Sequence, residues 1–290
     1  MVDKIKVYTV GSRHDSTWIN NTVNVDNMND ADVVVFPGGS DWNPALYKQK
    51  PSKTVYSYED IDAHQLHYYI SAYYQSKMLV GICRGAQLFG IASGGSLIQD
   101  VSHHCGRNHS VITLNKKVFQ TNSIHHQMLN WDSIDIKKIL LAWSDGLSSR
   151  YFDGNDTQIA IDKQLLVDIN YKEPEAFFFN DLKAFGIQGH PEGHMPDLFK
   201  EQLNTWFTMF YNRYQNKPNT YNEIIEKRID LIGEVYPELK AIIKLSRELS
   251  TVVKPVAPSL IVTKSLPPTF NTTENETNRN FSTTERVWGD

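Results

Sequence analysis

The chain has 290 residues, 40% of them hydrophobic, enough for one sizeable core or for a main domain with a modest appendage. Lys and Arg total 29 against 33 Asp and Glu, and the net charge of −4 gives no strong pull toward nucleic acid or an anionic membrane, which disfavours a duplex-reading function. Two cysteines are too few for a disulfide framework, no apolar stretch approaches the roughly 18 residues that span a bilayer, and no leader-like segment precedes the first strand-like run, so a cytoplasmic setting is expected.

Apolar runs at Ile5 to Val10, Asp32 to Phe36 and Met78 to Ile82 read as strands. Between the second and third, Ile61, Leu66, Tyr69, Ile70 and Tyr73 fall at helical spacing and predict a helix over Glu59 to Lys77. Strand, helix, strand implies a parallel crossover, and Met78 to Ile82, apolar on both faces, suits a central strand covered by helices. Further strands are predicted at Val111 to Leu114, Lys138 to Ala142, Gln158 to Ile161, Leu165 to Ile169, Ala176 to Phe179 and Ala184 to Gln188. Turn signals at Asp145-Gly146 and Asp153-Gly154-Asn155 make this half richer in antiparallel hairpins. After Pro196, the residues Leu198, Phe199, Leu203, Trp206, Phe207 and Phe210 predict an amphipathic helix, and Glu223 to Leu249 reads as a helical pair broken near Pro237. Beyond Val253, four prolines and a Thr/Asn/Glu tract bury too little surface to offset chain entropy, so that tail is expected to be disordered.

Three strand-end segments carry chemistry. In Gly81-Ile82-Cys83-Arg84-Gly85-Ala86-Gln87 a cysteine stands where an apolar strand turns into a helix. Glycines two before and two after it remove side chains that would clash with a sharp turn, and the positive end of the helix favours a thiolate there. In Phe185-Gly186-Ile187-Gln188-Gly189-His190-Pro191-Glu192, His190 can serve as the base that a cysteine nucleophile needs and Glu192 as the acceptor that orients it. In Val33-Val34-Val35-Phe36-Pro37-Gly38-Gly39-Ser40-Asp41 a strand runs into a glycine turn whose N–H groups, with that of Arg84, could hold an oxyanion. A phosphate loop is excluded because no Gly-Lys-Ser/Thr ending follows.

Together these segments resemble the class I glutamine amidotransferase family with its Cys-His-Glu triad, and most closely its γ-glutamyl-γ-aminobutyrate hydrolase-like, peptidase C26 branch. Gly94 to Val101, Asn122-Ser123-Ile124-His125-His126-Gln127, Trp143-Ser144-Asp145-Gly146 and Glu175-Ala176 look like that branch's intermediate motifs in the same order. The resemblance covers roughly residues 4 to 212. It implies Cys83 as nucleophile, His190 as base and Glu192 as its partner, Gly39 and Arg84 as oxyanion hole, and Gln87, His126 and Gln127 against a glutamyl substrate. At Gly189 the related sequences carry a bulky aromatic, so glycine is expected to open space beside the base.

The expected architecture is a flavodoxin-like α/β domain with a central mostly parallel sheet and helices on both faces, its reactive groups at the carboxyl ends of the strands. The divisions are a catalytic domain over 1–212, a helical extension over 213–252 and a Pro/Thr/Asn-rich tail over 253–290. Neither metal nor organic cofactor is expected. The segment Ser102-His103-His104-Cys105-Gly106-Arg107-Asn108-His109 holds zinc-ligand types, but no second Cys-x-x-Cys or His-x-x-x-His pair completes a set, which leaves a pocket-side loop. Three functions fit: a self-sufficient hydrolase of a γ-glutamyl amide, a glutaminase handing ammonia to a separate synthetase or ligase docked on the carboxy-terminal helices, and a silent binding protein on the same fold. Retention of Cys83, His190 and Glu192 argues against the last.

Overall fold

A computed structural model describes residues 3–145, 151–152 and 172–252. The strands predicted at 158–161 and 165–169, the turn at 153–155 and the tail beyond 252 lie outside the described residues. The strands are β1 (Ile5–Thr9), β2 (Thr22–Asn24), β3 (Val33–Phe36), β4 (Met78–Ile82), β5 (Leu97–Ile98), β6 (Asp100–Val101), β7 (His109–Thr113), β8 (Val118–Thr121), β9 (Met128–Leu129), β10 (Lys138–Asp145), β11 (Tyr151–Phe152), β12 (Lys172–Phe179) and β13 (Ala184–Ile187). The helices are α1 (Glu59–Tyr74), α2 (Arg84–Ala92), α3 (Asp197–Tyr214), α4 (Glu223–Val235) and α5 (Lys240–Val252).

Among the described residues, nine strands form one sheet in the order β2-β1-β3-β4-β13-β12-β10-β7-β8. The pairings from β2 through to β13 are parallel, and those from β13 through β12 and β10 to β7 and β8 are antiparallel. Alternation along the strands divides the core into two layers. Val34, Phe36 and Leu79 join the layer covered by α1, α2, α4 and α5, whereas Val33, Val35, Val80, Ile82 and Phe185 meet Phe199, Leu203, Phe207 and Phe210 of α3. The predicted cover for the sheet after Pro196 is therefore one of two.

Helix α1 stops at Tyr74, short of the predicted Lys77, because Ser76 takes φ 55 where the chain reverses into β4. The break in the carboxy-terminal pair falls as expected before Pro237, and the Asn222 side chain caps α4 by accepting from Ile224 N at 2.9 Å. Ile225, Ile229, Ile232, Tyr236, Leu239 and Ile243 of this pair are buried in the same layer as Leu66, Tyr69 and Phe89. The apolar face of these helices thus packs against the chain's own core. No helix of the described residues is long and apolar enough to cross a membrane.

Candidate active site

The three strand-end segments converge because β3, β4 and β13 are neighbours in the parallel half of the sheet, with Phe36 opposite Gly81 and Ile82 opposite Ile187. Neighbouring strands lie about 4.8 Å apart, so the turns leaving their carboxyl ends share one edge. Cys83, at the end of β4, adopts φ 49 and ψ −105, a conformation that L-residues avoid, and its N–H donates to Ile187 O at 2.7 Å. The flanking glycines are required sterically: a Cβ on Gly81 would sit 2.4 Å from the Gly85 carbonyl carbon, and one on Gly85 would sit 2.2 Å from Phe36 O.

His190 follows β13. Its Nδ1 lies 2.7 Å from Glu192 Oε1, and its main chain is held at both ends by Asn122, whose Oδ1 accepts from His190 N and whose Nδ2 donates to His190 O, each at 2.8 Å. Burial pulls the imidazole toward its neutral form, but hydrogen bonds with Cys83 and Glu192 outweigh it and lift the pKa from 6.5 to about 10. A Cβ on Gly38 would lie 2.7 Å from His190 Cε1 and 3.7 Å from Cys83 Cβ, so this glycine touches both reactive groups. The structure brings Cys83, His190 and Glu192 together.

Gly39 lies against Arg84, with a Cβ position 3.0 Å from Arg84 Cδ. The Arg84 side chain turns inward: it pairs with Asp62, its Nε donates to Ser40 O at 2.7 Å, its Nη1 donates to Gln65 Oε1 at 2.9 Å, and it stacks 3.7 Å from the Trp42 ring centroid. Gln87 is buried and donates to Gln127 O at 2.9 Å, while both polar atoms of the buried Gln127 carboxamide lack a partner. His126 is half-buried between Asp41 and Asp100, and its hydrogen bond with Asp41 raises its pKa above the ordinary value. Gly189 does not open space: Thr121 Oγ1, Asn122 O and Met195 Cε lie within 3.0 Å of where its Cβ would be. The glycine is needed because neighbouring segments close onto it.

Sequence reasoning missed Gln188, whose Nε2 lies 3.5 Å from Cys83 Sγ, and the clamp by Asn122. Both sit inside the quoted motifs, and a polar residue at the end of an apolar run was the available signal.

Residues 18–134 match the family described as Peptidase C26. The chain is 28% identical over 133 residues to the glutamine amidotransferase-like protein YvdE of Lactococcus lactis, which covers 38% of this chain and 56% of that protein. It is 28% identical over 154 residues to the carbamoyl phosphate synthase arginine-specific small chain of Bacillus subtilis, covering 52% of this chain and 37% of that one. The aligned regions thus span between about a third and a little over half of those relatives. A solved GMP synthase component from Thermoplasma acidophilum aligns over 73% of this chain and 96% of its own, at 15% identity and a TM-score of 0.46. Residues 18–134 are thus similar to Peptidase C26 and the curated relatives are glutamine amidotransferase-like, which supports a class I glutamine amidotransferase-like family for this chain.

Proposed function

We propose that the protein hydrolyses the amide bond of a γ-glutamyl compound through a thioester on Cys83. The observation that carries this reading is the 2.7 Å contact between His190 Nδ1 and Glu192 beside a cysteine in a strained strand-to-helix turn. With Nδ1–H donated to the carboxylate, Nε2 is the ring nitrogen left for the thiol.

In the first half-reaction the thiolate attacks the γ-carbonyl carbon and a carbon–sulfur bond forms. The N–H groups of Gly39 and Arg84 hold the oxyanion, and His190 protonates the departing nitrogen as the carbon–nitrogen bond breaks. Water then attacks the thioester, His190 accepts its proton, the carbon–sulfur bond breaks, and the glutamyl carboxylate and thiolate are released. Gln127, with its carboxamide unsatisfied, would meet the amino-acid head group, with Gln87 behind it and His126 at the rim. Two unpaired cysteines fit a reducing, cytoplasmic setting.

The ammonia-donor alternative uses the same chemistry and draws on the likeness to a carbamoyl phosphate synthase small chain. Glutamine, γ-glutamyl peptides and γ-glutamyl amines offered to the purified protein, with free glutamate and released amine quantified, separate the readings. Turnover by the protein alone that vanishes in Cys83→Ala supports self-sufficient hydrolysis. Turnover only beside a second polypeptide supports the donor, and undiminished turnover by Cys83→Ala rejects both.

A further inference from the structure

A second constellation of ionisable side chains lies at the same end of the sheet and has no part in the acyl transfer. His104 comes from the loop after β6, His125 from the segment after β8, and Glu175 from β12. They are 3%, 4% and 1% exposed, and each offers one ligand-type atom within 4.8 Å of the other two. The two histidine loops are pinned together by the Cys105–Ile124 bridge and by Gly106 N, which donates to Ser123 O at 2.9 Å.

The hydrogen bonds of the two histidines run to groups behind the cluster. His104 Nε2 lies 2.8 Å from Glu173 Oε2, which also accepts from Ser144 Oγ at 2.5 Å. His125 Nδ1 lies 3.0 Å from Gln127 O, and a carbonyl only accepts, so Nδ1 carries that ring's proton. His109 Nε2 lies 2.8 Å from Glu175 Oε1. Inside the cluster His104 Nδ1 stands 3.6 Å from Glu175 Oε1, beyond hydrogen-bond distance, and His104 Nδ1, His125 Nε2 and Glu175 Oε2, like His109 Nδ1 beside them, are buried without a hydrogen-bond partner. Buried acceptors gathered without a donor are costly, and a cation among them removes that cost.

We propose that His104, His125 and Glu175 bind one divalent transition-metal ion of the zinc class, with Glu173 and His109 orienting the ligands from behind. Two imidazoles and a carboxylate form a nitrogen–oxygen set suited to zinc, whereas magnesium and calcium take oxygen ligands. A metal-bound histidine characteristically donates its other ring N–H to a carboxylate or a carbonyl, and His104 and His125 have those partners in place. Zinc bonds of about 2.0–2.1 Å separate tetrahedral ligands by about 3.4 Å, so small side-chain rotations close the present spacing. Three protein ligands leave a fourth position for water or another donor.

The ion would brace the nucleophile's surroundings. Glu175 O accepts from Gln188 N at 2.8 Å, and Gln188 Nε2 reaches Cys83 Sγ at 3.5 Å. Spacing within the His103–His109 segment could not disclose the set because its ligands come from three separate segments. The proposal does not depend on the acyl-transfer reading.

The test is to strip the full-length protein with a chelator, titrate it with Zn2+ against a chromophoric competitor, and record the visible spectrum of the Co2+-loaded protein. One equivalent per chain is expected, with cobalt d–d bands and no thiolate charge-transfer band, since neither Cys83 nor Cys105 is a ligand. His125→Ala and Glu175→Gln should each weaken zinc binding more than about 100-fold, Glu173→Gln about 10–100-fold, and Cys105→Ser not at all. Failure of the wild-type protein to bind an equivalent, a thiolate band, or wild-type affinity in a folded Glu175→Gln protein overturns the proposal. The wild-type titration and cobalt spectrum need no variant, so misfolding of a substituted protein cannot shield it. If free amino acids but not Zn2+ stabilise the wild-type protein, the cluster is a substrate pocket and the proposal is rejected.

Discussion

Tyr236 Oη donates a 2.7 Å hydrogen bond to Asp62 Oδ2, and the other oxygen of that carboxylate pairs with Arg84, the residue after Cys83. Asp62 also accepts from Asn43 N at 3.0 Å, while Arg84 holds Ser40 O next to Gly39. One buried polar chain therefore runs from the connection between α4 and α5 to the glycine turn beside the nucleophile. Residues in an extension outside the matched family region support the geometry inside it.

Removing one member of this chain should cost stability in proportion to the charge left exposed in the core. Tyr236→Phe keeps the ring and loses one hydrogen bond to a carboxylate, an expected loss of about 1–3 kcal/mol. Asp62→Asn leaves the guanidinium without its counter-charge at a site where both side chains are no more than 1% exposed, and about 3–5 kcal/mol is expected. Urea midpoints measure both. An Asp62→Asn protein as stable as the wild type would show that the pair is dispensable.

The carboxy-terminal helices should behave as part of the core. Each aliphatic side chain that α4 and α5 bury contributes about 1.5–3 kcal/mol, a large share of a typical net stability. A chain ending after Tyr214 is expected to aggregate, because Leu66, Tyr69 and Phe89 lose the cover of Ile225, Ile229 and Ile232. Ile229→Ala, fully buried in that layer, should lower stability by about 2–5 kcal/mol. A soluble, cooperatively melting truncation would separate the extension from the core after all.

Most of the parallel half was legible because its signals are local. Met78–Ile82 is apolar on both faces, Cys83 sits between glycines at fixed offsets, and His190 follows an apolar run, so each motif could be placed on a strand end from sequence alone. What was not legible depends on distant partners. Strand β12 was expected from Ala176 but begins at Lys172, because Glu173 and Glu175, charged residues beside Pro174, are buried against His104, His109 and Ser144. The burial of Arg84, the space around Gly189 and the link from Tyr236 to Asp62 arise only when segments far apart in sequence meet.

Two glycines of the site should fail in different ways when given a methyl group. At Gly38 the added carbon would meet the edge of the His190 ring at 2.7 Å, and the ring can move aside at the expense of its alignment with Cys83. Gly38→Ala is expected to stay folded and to lose about 10²-fold in kcat on a γ-glutamyl substrate, the scale of an ångström misplacement. At Gly85 the added carbon would meet the Phe36 carbonyl oxygen at 2.2 Å, which is backbone at the end of an interior strand. Gly85→Ala should destabilise by about 3 kcal/mol or more. Circular dichroism melts alongside single-turnover rates distinguish the two, and a fully active Gly38→Ala protein would place the reacting groups elsewhere.

The pH dependence should report the His190–Glu192 pair. Burial opposes the imidazolium, but hydrogen bonds to Cys83 and Glu192 raise the folded-state pKa from 6.5 to about 10. A raised pKa means that the folded state holds the proton more tightly, so this stabilisation is complete below about pH 6.5 and is lost as pH climbs through about 10. Asp15, whose carboxyl is raised by burial and by the nearby Glu192, and His125, held neutral by burial, also face the pair. Glu192→Gln keeps the shape and removes the charge, so the alkaline limb of kcat/KM should move from about pH 10 toward neutrality. The difference in melting temperature between wild type and Glu192→Gln should be largest in mildly acidic to neutral solution and shrink toward pH 10. An alkaline limb that stays in place in a folded Glu192→Gln protein would remove Glu192 from the proton relay and leave His190 oriented by Asn122 alone.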